Sequence, residues 1–289
     1  MNHTQIPLSA GLYLCAVPIG NLRDITLRVL DILASADLIA AEDTRTARKL
    51  MELHGVPLGD RKVVAYHDHS GDGVRTRLLA DIRDGRSVAY VSEAGTPLIA
   101  DPGYKLAAAC HAQNLPVTAA PGASAVLSAL TVSGLPSDAF VFAGFLPSSA
   151  QARRTALEGW RDAPATLIFY ESPRRIHGML GDVCEVMGKA RPVVICRELT
   201  KKFEEVLRGP ASEIRERIAD RTLKGEIVVL IGAGDAQDWT DQAVQDALRD
   251  AMATMRVKDA ANAVAGASGR TRRDVYQLAL TMKDKSDGI

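Results

Sequence analysis

The sequence has no excess of either charge: 35 Lys and Arg offset 35 Asp and Glu over 289 residues. A protein that coats nucleic acid by bulk attraction is usually strongly basic. Any contact with a polyanion must therefore come from a local surface, and composition alone does not point to RNA. Nor is there an uncharged apolar run long enough to cross a bilayer. Met1 to Ala10 lacks a basic start followed by an apolar stretch, so no secretory signal is read there and a cytoplasmic location is expected. Cysteine is scarce. Cys15, Cys110, Cys184 and Cys196 form no C-x-x-C pair, which leaves zinc ribbons and thioredoxin-like redox chemistry without support. Four buried, reduced thiols are expected instead. Neither G-x-G-x-x-G nor G-x-x-x-x-G-K-[ST] stands in the glycine-bearing loops, so a common dinucleotide or P-loop site is unsupported.

Hydrophobic residues at 47% and charged residues at 24% are enough to build one large core or two smaller ones. From Gly11 to about Gly234, short apolar runs alternate with helical patterns. Strands are expected at Leu12–Val17, Leu38–Ala41, Val63–Tyr66, Ser87–Val91 and Val117–Ala120. Helices are expected at Thr26–Ala36, Thr44–His54, Gly73–Arg83 and Tyr104–Gln113. This is the pattern of a mostly parallel sheet covered on both faces. A further helix, Ser124–Val132, opens a second set of strands at Phe140–Ala143, Thr166–Tyr170, Val193–Arg197, Phe203–Arg208 and Glu226–Ile231. Only Glu198 to Lys202 separates the third from the fourth, so a hairpin and a mixed sheet are expected there. The expected organisation is an α/β domain over 11–122, a second over 123–234, and a helical module over 235–289. The module should hold helices Asp241–Thr254, Val257–Ser268 and Thr271–Met282, with Gly269 as a stop and Thr271 as a cap. It reads either as an appendage on the main body or a dimer mate, or as an RNA-contacting unit bearing Arg270, Arg272 and Arg273.

In an open parallel sheet, ligands bind beyond the C-terminal strand ends. Three loops stand there: Val17-Pro18-Ile19-Gly20-Asn21-Leu22; Val91-Ser92-Glu93-Ala94-Gly95-Thr96-Pro97, leading to Asp101-Pro102-Gly103; and Ala120-Pro121-Gly122-Ala123-Ser124. Glycine permits close backbone approach and proline stiffens it. One such loop is an ordinary turn, whereas three at successive strand ends point to a small-molecule site. Glu42 and Asp43 follow another strand and lead into a helix whose Arg45, Arg48 and Lys49 share a face. Cations at a helix start oppose the macrodipole, which a polyanionic substrate would explain as well as a solvated helix capped by Thr44 would. His67-Asp68-His69 lacks a third ligand at a recognisable spacing, so no metal is expected there. Tyr170 to Arg175 and Arg197 to Lys202 end second-half strands in polar, basic turns that either lie on the surface or line a cleft and meet phosphate.

Taken together, these segments resemble the RsmI-type small-subunit ribosomal RNA methyltransferases of the tetrapyrrole-methylase superfamily. Val17-Pro18-Ile19-Gly20-Asn21-Leu22-Arg23-Asp24-Ile25-Thr26 is similar to their TPIGNL-x-DIT opening. Ala41-Glu42-Asp43-Thr44-Arg45 lies in their AEDTR motif, and Ser92 to Pro97 with Asp101 to Tyr104 resembles SDAGTP…DPGY. Phe169 to Pro173, Arg197 to Lys201 and Lys224 to Ile227 match FYESP, RELTK and KGEI. Two departures stand out. Glu93 replaces the usual Asp, keeping the carboxylate, and Ala123 replaces a proline, which should loosen its loop modestly.

The resemblance implies two α/β domains holding S-adenosylmethionine between them, and 2′-O-methylation of a cytidine in the decoding region of 16S ribosomal RNA, within the small subunit. It also implies a homodimer. Cofactor contacts carry over to Pro18, Glu93, Thr96, Ser124, Ala125, Tyr170 and the vicinity of Gly225, with Gly20, Gly95 and Pro121 in the same loops. Methyl transfer needs an in-line oxygen nucleophile, so Glu42, Asp43 or a Lys201 of lowered pKa is expected to assist deprotonation. Arg45, Arg48 and Arg197 are expected to hold phosphate. The competing functions are C-methylation of a tetrapyrrole, and a catalytically silent RNA-binding or ribosome-assembly protein.

Overall fold

The computed structural model describes residues 3–67, 70–100, 102–234, 241–268 and 270–286. Five strands, β1 (Gly11–Cys15), β2 (Leu38–Ala41), β3 (Val63–Ala65), β4 (Ser87–Val91) and β5 (Val117–Ala120), form a sheet in the order β3-β2-β4-β1-β5. Every pairing in it is parallel. All residues of β2 and β4 are buried, as strands covered on both faces require. α1 (Leu27–Ser35) and α2 (Thr44–Leu53) pack on one face through Val29, Ile32, Leu33, Leu50 and Met51. α3 (Asp72–Arg83) and α4 (Tyr104–Ala112) cover the other through Leu78, Ile82, Leu106 and Cys110. The chain leaves β1 toward β2 but leaves its neighbour β4 toward β5. Such a reversal of direction is where open α/β sheets bind ligands.

Side-chain caps set where the helices begin. Thr26 accepts from the N–H of Val29 at the start of α1. Asp43, not Thr44, caps α2, its carboxylate accepting from the N–H of Arg45 and Thr46.

The second sheet has the order β6-β7-β10-β8-β9, from β6 (Phe140–Phe145), β7 (Thr166–Glu171), β8 (Pro192–Arg197), β9 (Glu205–Pro210) and β10 (Ile227–Ile231). β6 and β7 run parallel and the other pairs antiparallel, so the sheet is mixed, and β8 and β9 form the hairpin that the short connection implied. That connection is longer than expected. It runs from Glu198 to Glu204, because Phe203 stays exposed in the turn and pairing starts only at Glu205. Alternation along the strands serves two layers. Leu167, Phe169, Val193, Ile195 and Val229 face α6 (Ala150–Glu158), α7 (Ile176–Val186) and α8 (Ala211–Ile218), three helices that the periodicity reading had not placed. Ile168, Val194, Cys196, Val228 and Leu230 face α5 (Ala125–Ser133), and Ile19 from the first half joins this layer.

α9 (Asp241–Met252), α10 (Val257–Ser268) and α11 (Arg272–Ser286) build a small core of their own from Val244, Leu248, Ala261, Val264, Val275 and Ala279. Thr271 caps α11, accepting from the N–H of Asp274 at 3.2 Å. The expected stop at Gly269 lies outside the described residues. The four cysteines are free and buried, and burial raises the Cys15 and Cys196 thiols to about 12. Among the described residues, no helix is long and apolar enough to cross a membrane.

Candidate active site

The three glycine-bearing loops are tied into one wall. Val17 and Gly95 exchange backbone hydrogen bonds of 2.9 and 3.0 Å, joining the loops after β1 and β4. Thr96 Oγ1 donates to the carbonyl of Ala123 at 2.9 Å, joining the loop after β5. A fourth loop, from the β8–β9 hairpin, closes on this wall from the second sheet. The N–H of Asn21 donates to Thr200 Oγ1 at 3.0 Å. A Cβ on Gly20 would stand 2.4 Å from Lys201 Cγ, so only glycine lets the hairpin seat there.

Two cavities open between these loops. The inner one, of about 360 Å³, runs between the wall and the second sheet. Its sides are apolar where Ile19, Ile99, Leu199 and Val228 border it, and polar at Thr96, Ser124, Tyr170, Ser172 and Glu226. The outer one, of about 590 Å³, lies between the loop after β1 and helix α2. Leu22, Leu50 and Leu53 border it, together with Glu42, Lys49, Glu93, Lys201 and Glu226. Ile19, Ala94 and Glu226 border both, so the two cavities share a partition.

Of the expected cofactor residues, Gly95, Thr96, Ser124, Ala125, Tyr170 and Gly225 line the inner cavity. Pro18, Gly20 and Glu93 border the outer one instead. Pro121 borders neither; its carbonyl meets Thr26 Oγ1 at 3.5 Å. Tyr170 is held edge-on by Phe142 and Phe145, with ring centroids 4.9 and 5.6 Å away. Phe145, Glu226 and Leu199 were not singled out as site residues from the sequence. Glu226 and Leu199 lay inside the KGEI and RELTK motifs, whereas nothing in the pattern marked Phe145.

The expected catalytic and phosphate-binding residues divide differently. Glu42 borders the outer cavity, where its Oε2 accepts from the N–H of Glu93 at 3.0 Å. Asp43 is committed to capping α2 and to an ion pair with Arg45 at 2.9 Å; the Arg45 hydrogen bonds bring its carboxyl down to about 2. Arg45 is thereby turned back on Asp43 and borders neither cavity. Lys49, not Arg48, faces the outer cavity, because the helix turns Arg48 toward a separate groove beside Val56 and Leu58. Arg197 is also occupied: Nε donates to Glu205 at 3.1 Å and Nη1 to the carbonyl of Lys224 at 3.2 Å.

Lys201 does not have the lowered pKa expected of a base. Partial burial pulls its ammonium down, but hydrogen bonds of 2.8 Å to both Glu198 and Glu226 more than offset this and leave it raised. Glu198 is the centre of the cluster. Its Oε1 accepts both from Lys201 and, at 3.0 Å, from the N–H of Glu226. Lys201 first, against the opposing effect of burial, holds the Glu198 carboxyl below its ordinary value. Glu198 itself adopts φ 52, and Gly225 beside it adopts φ 88. A Cβ on Gly225 would lie 2.3 Å from Glu198 Cδ. Glycine and the left-handed glutamate are therefore one packing unit.

Asp68 and His69 of the His67-Asp68-His69 segment lie outside the described residues. Among those described, no three His, Cys, Asp or Glu side chains gather as metal ligands would.

The family pattern described as Tetrapyrrole (Corrin/Porphyrin) Methylases matches residues 11–215, and that of the RsmI C-terminal HTH domain matches residues 238–283. "Ribosomal RNA small subunit methyltransferase I" of Mesorhizobium japonicum is 45% identical over 281 residues, covering 97% of this chain and 95% of the relative. The protein of the same name from Escherichia coli O157:H7 is 40% identical, covering 96% and 98%. Solved structures share the fold at low identity. Cobalt precorrin-4 methyltransferase matches with a TM-score of 0.55 at 16% identity, over 76% of this chain and 94% of that one. A diphthine synthase matches with a TM-score of 0.58 at 14% identity, over 76% and 89%. Two α/β layers joined at the loop wall, motifs matched in order and relatives aligned end to end lead to one assignment: the chain belongs to the tetrapyrrole methylases, and within them to the ribosomal RNA small subunit methyltransferase I family.

Proposed function

We propose that this protein transfers a methyl group from S-adenosylmethionine to the 2′-oxygen of a cytidine in the decoding region of 16S ribosomal RNA, acting on the small ribosomal subunit. The observation that carries the methyl-transfer reading is the partition between the cavities. An inner, mostly apolar pocket adjoins an outer one of mixed polar and apolar lining, so a donor and an acceptor can meet across one wall. An acceptor in small-subunit ribosomal RNA is supported by the relatives, which are known as ribosomal RNA small subunit methyltransferase I.

The inner cavity suits S-adenosylmethionine chemically. Its volume lies in the range of small-molecule sites, roughly 300–1,000 Å³. Apolar Ile19, Ile99 and Val228 suit a flat heterocycle, while Thr96, Ser124 and Ser172 offer hydroxyls for a ribose and an amino acid end. Glycine at positions 95 and 225 keeps the wall close without side chains. When bound, the cofactor supplies an electrophilic methyl on a sulfonium. The protein's part is to hold the two reactants in line, exclude water with the apolar walls and accept a proton from the hydroxyl. Lys49 at the outer cavity is a cation that can meet a phosphate there.

Cytoplasmic location and a homodimer complete the reading. Exposed Leu27, Tyr104 and Leu127 are apolar side chains that a second copy could cover. Sedimentation at micromolar concentration should give twice the monomer mass; a monomer would remove the dimer.

The experiment is transfer of labelled methyl from S-adenosylmethionine to small subunits purified from cells lacking this protein, with the product nucleoside identified. Recovery of 2′-O-methylcytidine supports the proposal. Cofactor binding without incorporation refutes the substrate, and a spectral change with uroporphyrinogen would then support tetrapyrrole C-methylation. Absence of cofactor binding would leave the RNA-binding assembly protein.

A further inference from the structure

The structure brings one carboxylate to the partition between donor and acceptor, and it is not among those the sequence motifs nominated for catalysis. Tyr170, Glu171, Cys196 and Glu226 are the described titratable residues bordering the inner cavity. Glu42, Lys49, Glu93, Lys201 and Glu226 border the outer one. Glu226 alone belongs to both sets.

Glu93 and Lys49 border the outer cavity only, Lys49 as a cation, and the remaining groups are otherwise engaged. Glu171 reaches the inner cavity only and its side chain is fully buried; Oε1 pairs with Arg175 at 3.2 Å and accepts from the N–H of Ser172, while Oε2 is buried without a partner among the described residues. Cys196 is buried, and Tyr170 is wedged between two phenylalanines. Glu42 is bound to the backbone of Glu93. Lys201 donates to two carboxylates, and both bonds favour the ammonium over the free amine that a base requires. Glu226, by contrast, has a side chain that is 75% exposed, and its carboxylate accepts from Lys201 through Oε2. Its backbone is fixed by the bond from its N–H to Glu198 and by the N–H of Glu198 donating to its carbonyl at 3.0 Å. RELTK and KGEI thus form one device. Glu198, seated over Gly225, holds both the backbone of Glu226 and the ammonium that steadies its carboxylate.

We propose that Glu226 is the general base of the methyl transfer, and that Glu198 and Lys201 are its positioning residues. This rests on the function proposed above. The acceptor hydroxyl attacks the methyl carbon: its O–H bond breaks, an O–C bond forms, and the S–C bond breaks to leave a neutral thioether. The hydroxyl proton passes to the Glu226 carboxylate, which releases it to solvent before the next turnover.

The test is Glu226→Gln in the full-length chain, with small subunits as substrate and three readouts. Turnover is expected to fall by more than tenfold, within the roughly 10²–10⁴-fold range of a general base. Affinity for S-adenosylhomocysteine, measured by calorimetry, should stay within threefold of wild type, and the acidic limb of the wild-type pH–turnover profile should vanish. Lys201→Met is expected to lower turnover by less, and the double variant to fall no further than Glu226→Gln alone, because Lys201 acts through Glu226. Circular dichroism confirms folding of each variant. A fall of less than tenfold, a persisting acidic limb, additive losses in the double variant, or a cofactor affinity weakened beyond threefold would each overturn the assignment. Wild type that binds cofactor but methylates nothing would instead mark failure of the proposed function itself.

Discussion

Replacing Gly225 with alanine tests the unit on which the site is built. The residue has φ 88, a region that costs an L-residue about 1–2 kcal/mol. Its new Cβ would stand 2.3 Å from Glu198 Cδ, so Glu198 must move. Moving it breaks the bonds to Lys201 and to the N–H of Glu226. Hydrogen bonds to charged groups contribute about 1.5–3 kcal/mol, the lower end applying to a cluster partly open to water. The expected destabilisation is about 4–5 kcal/mol, the conformational cost plus about 1.5 kcal/mol for each of the two bonds, or roughly 8–20 °C in Tm. Gly188→Ala is the matched control, since Gly188 has φ 97 but nothing within 4 Å of an added Cβ. It should show the conformational cost alone, about 1–2 kcal/mol. Thermal unfolding of both variants, with calorimetric titration of S-adenosylhomocysteine, separates the terms. Gly225→Ala should also bind cofactor more weakly, because Gly225 lines the inner cavity. If the two variants are equally stable and both bind normally, the packing of Gly225 on Glu198 does not organise the site.

Three further outcomes are expected. Asp43→Ala should lower Tm through loss of the α2 cap, whereas Asp43→Asn should retain both stability and turnover; a stable Asp43→Asn that has lost turnover would return Asp43 to catalysis. Lys49→Ala should weaken binding to small subunits and lower the slope of log affinity against log salt by about 1, while Arg48→Ala, in a separate groove, should leave both unchanged in a filter-binding titration. Glu198 and Glu205 are both held below their ordinary 4.5, first by the hydrogen bonds from Lys201 and Arg221. Folded, they bind fewer protons than unfolded, so the stability they contribute is complete above about pH 4.5 and is lost as pH falls through their folded values. Lys201→Met should therefore flatten the fall of Tm below pH 4.5, and an unchanged curve would contradict that linkage.

Local pattern alone determined much of the fold. Short continuous apolar runs such as Val88 to Val91 suit strands buried on both faces, and the structure places β4 as expected. The mixed second sheet followed from the shortness of the β8–β9 connection. The glycine-bearing loops were legible as one structural feature at the strand ends because glycine and proline restrict the backbone locally, whatever the rest of the chain does. The motifs also named most of the residues at the inner cavity, Thr96, Ser124, Tyr170 and Gly225 among them.

The roles of the charged residues were decided only by the tertiary structure. Sequence spacing put Arg45, Arg48 and Lys49 on one helical face, but the rotation of α2 against its sheet presents Lys49 to the outer cavity and Arg48 to another groove. Whether a carboxylate caps a helix, as Asp43 does, or stands at a partition, as Glu226 does, depends on which strand end lies opposite. What a charge can do depends on which neighbours claim it. The neighbours of Lys201 are Glu198, three residues back on the same turn, and Glu226, twenty-five residues on. The latter is brought there by the antiparallel pairing of β8 with β10. Proximity of that kind is a property of sheet register, which no local stretch of sequence contains.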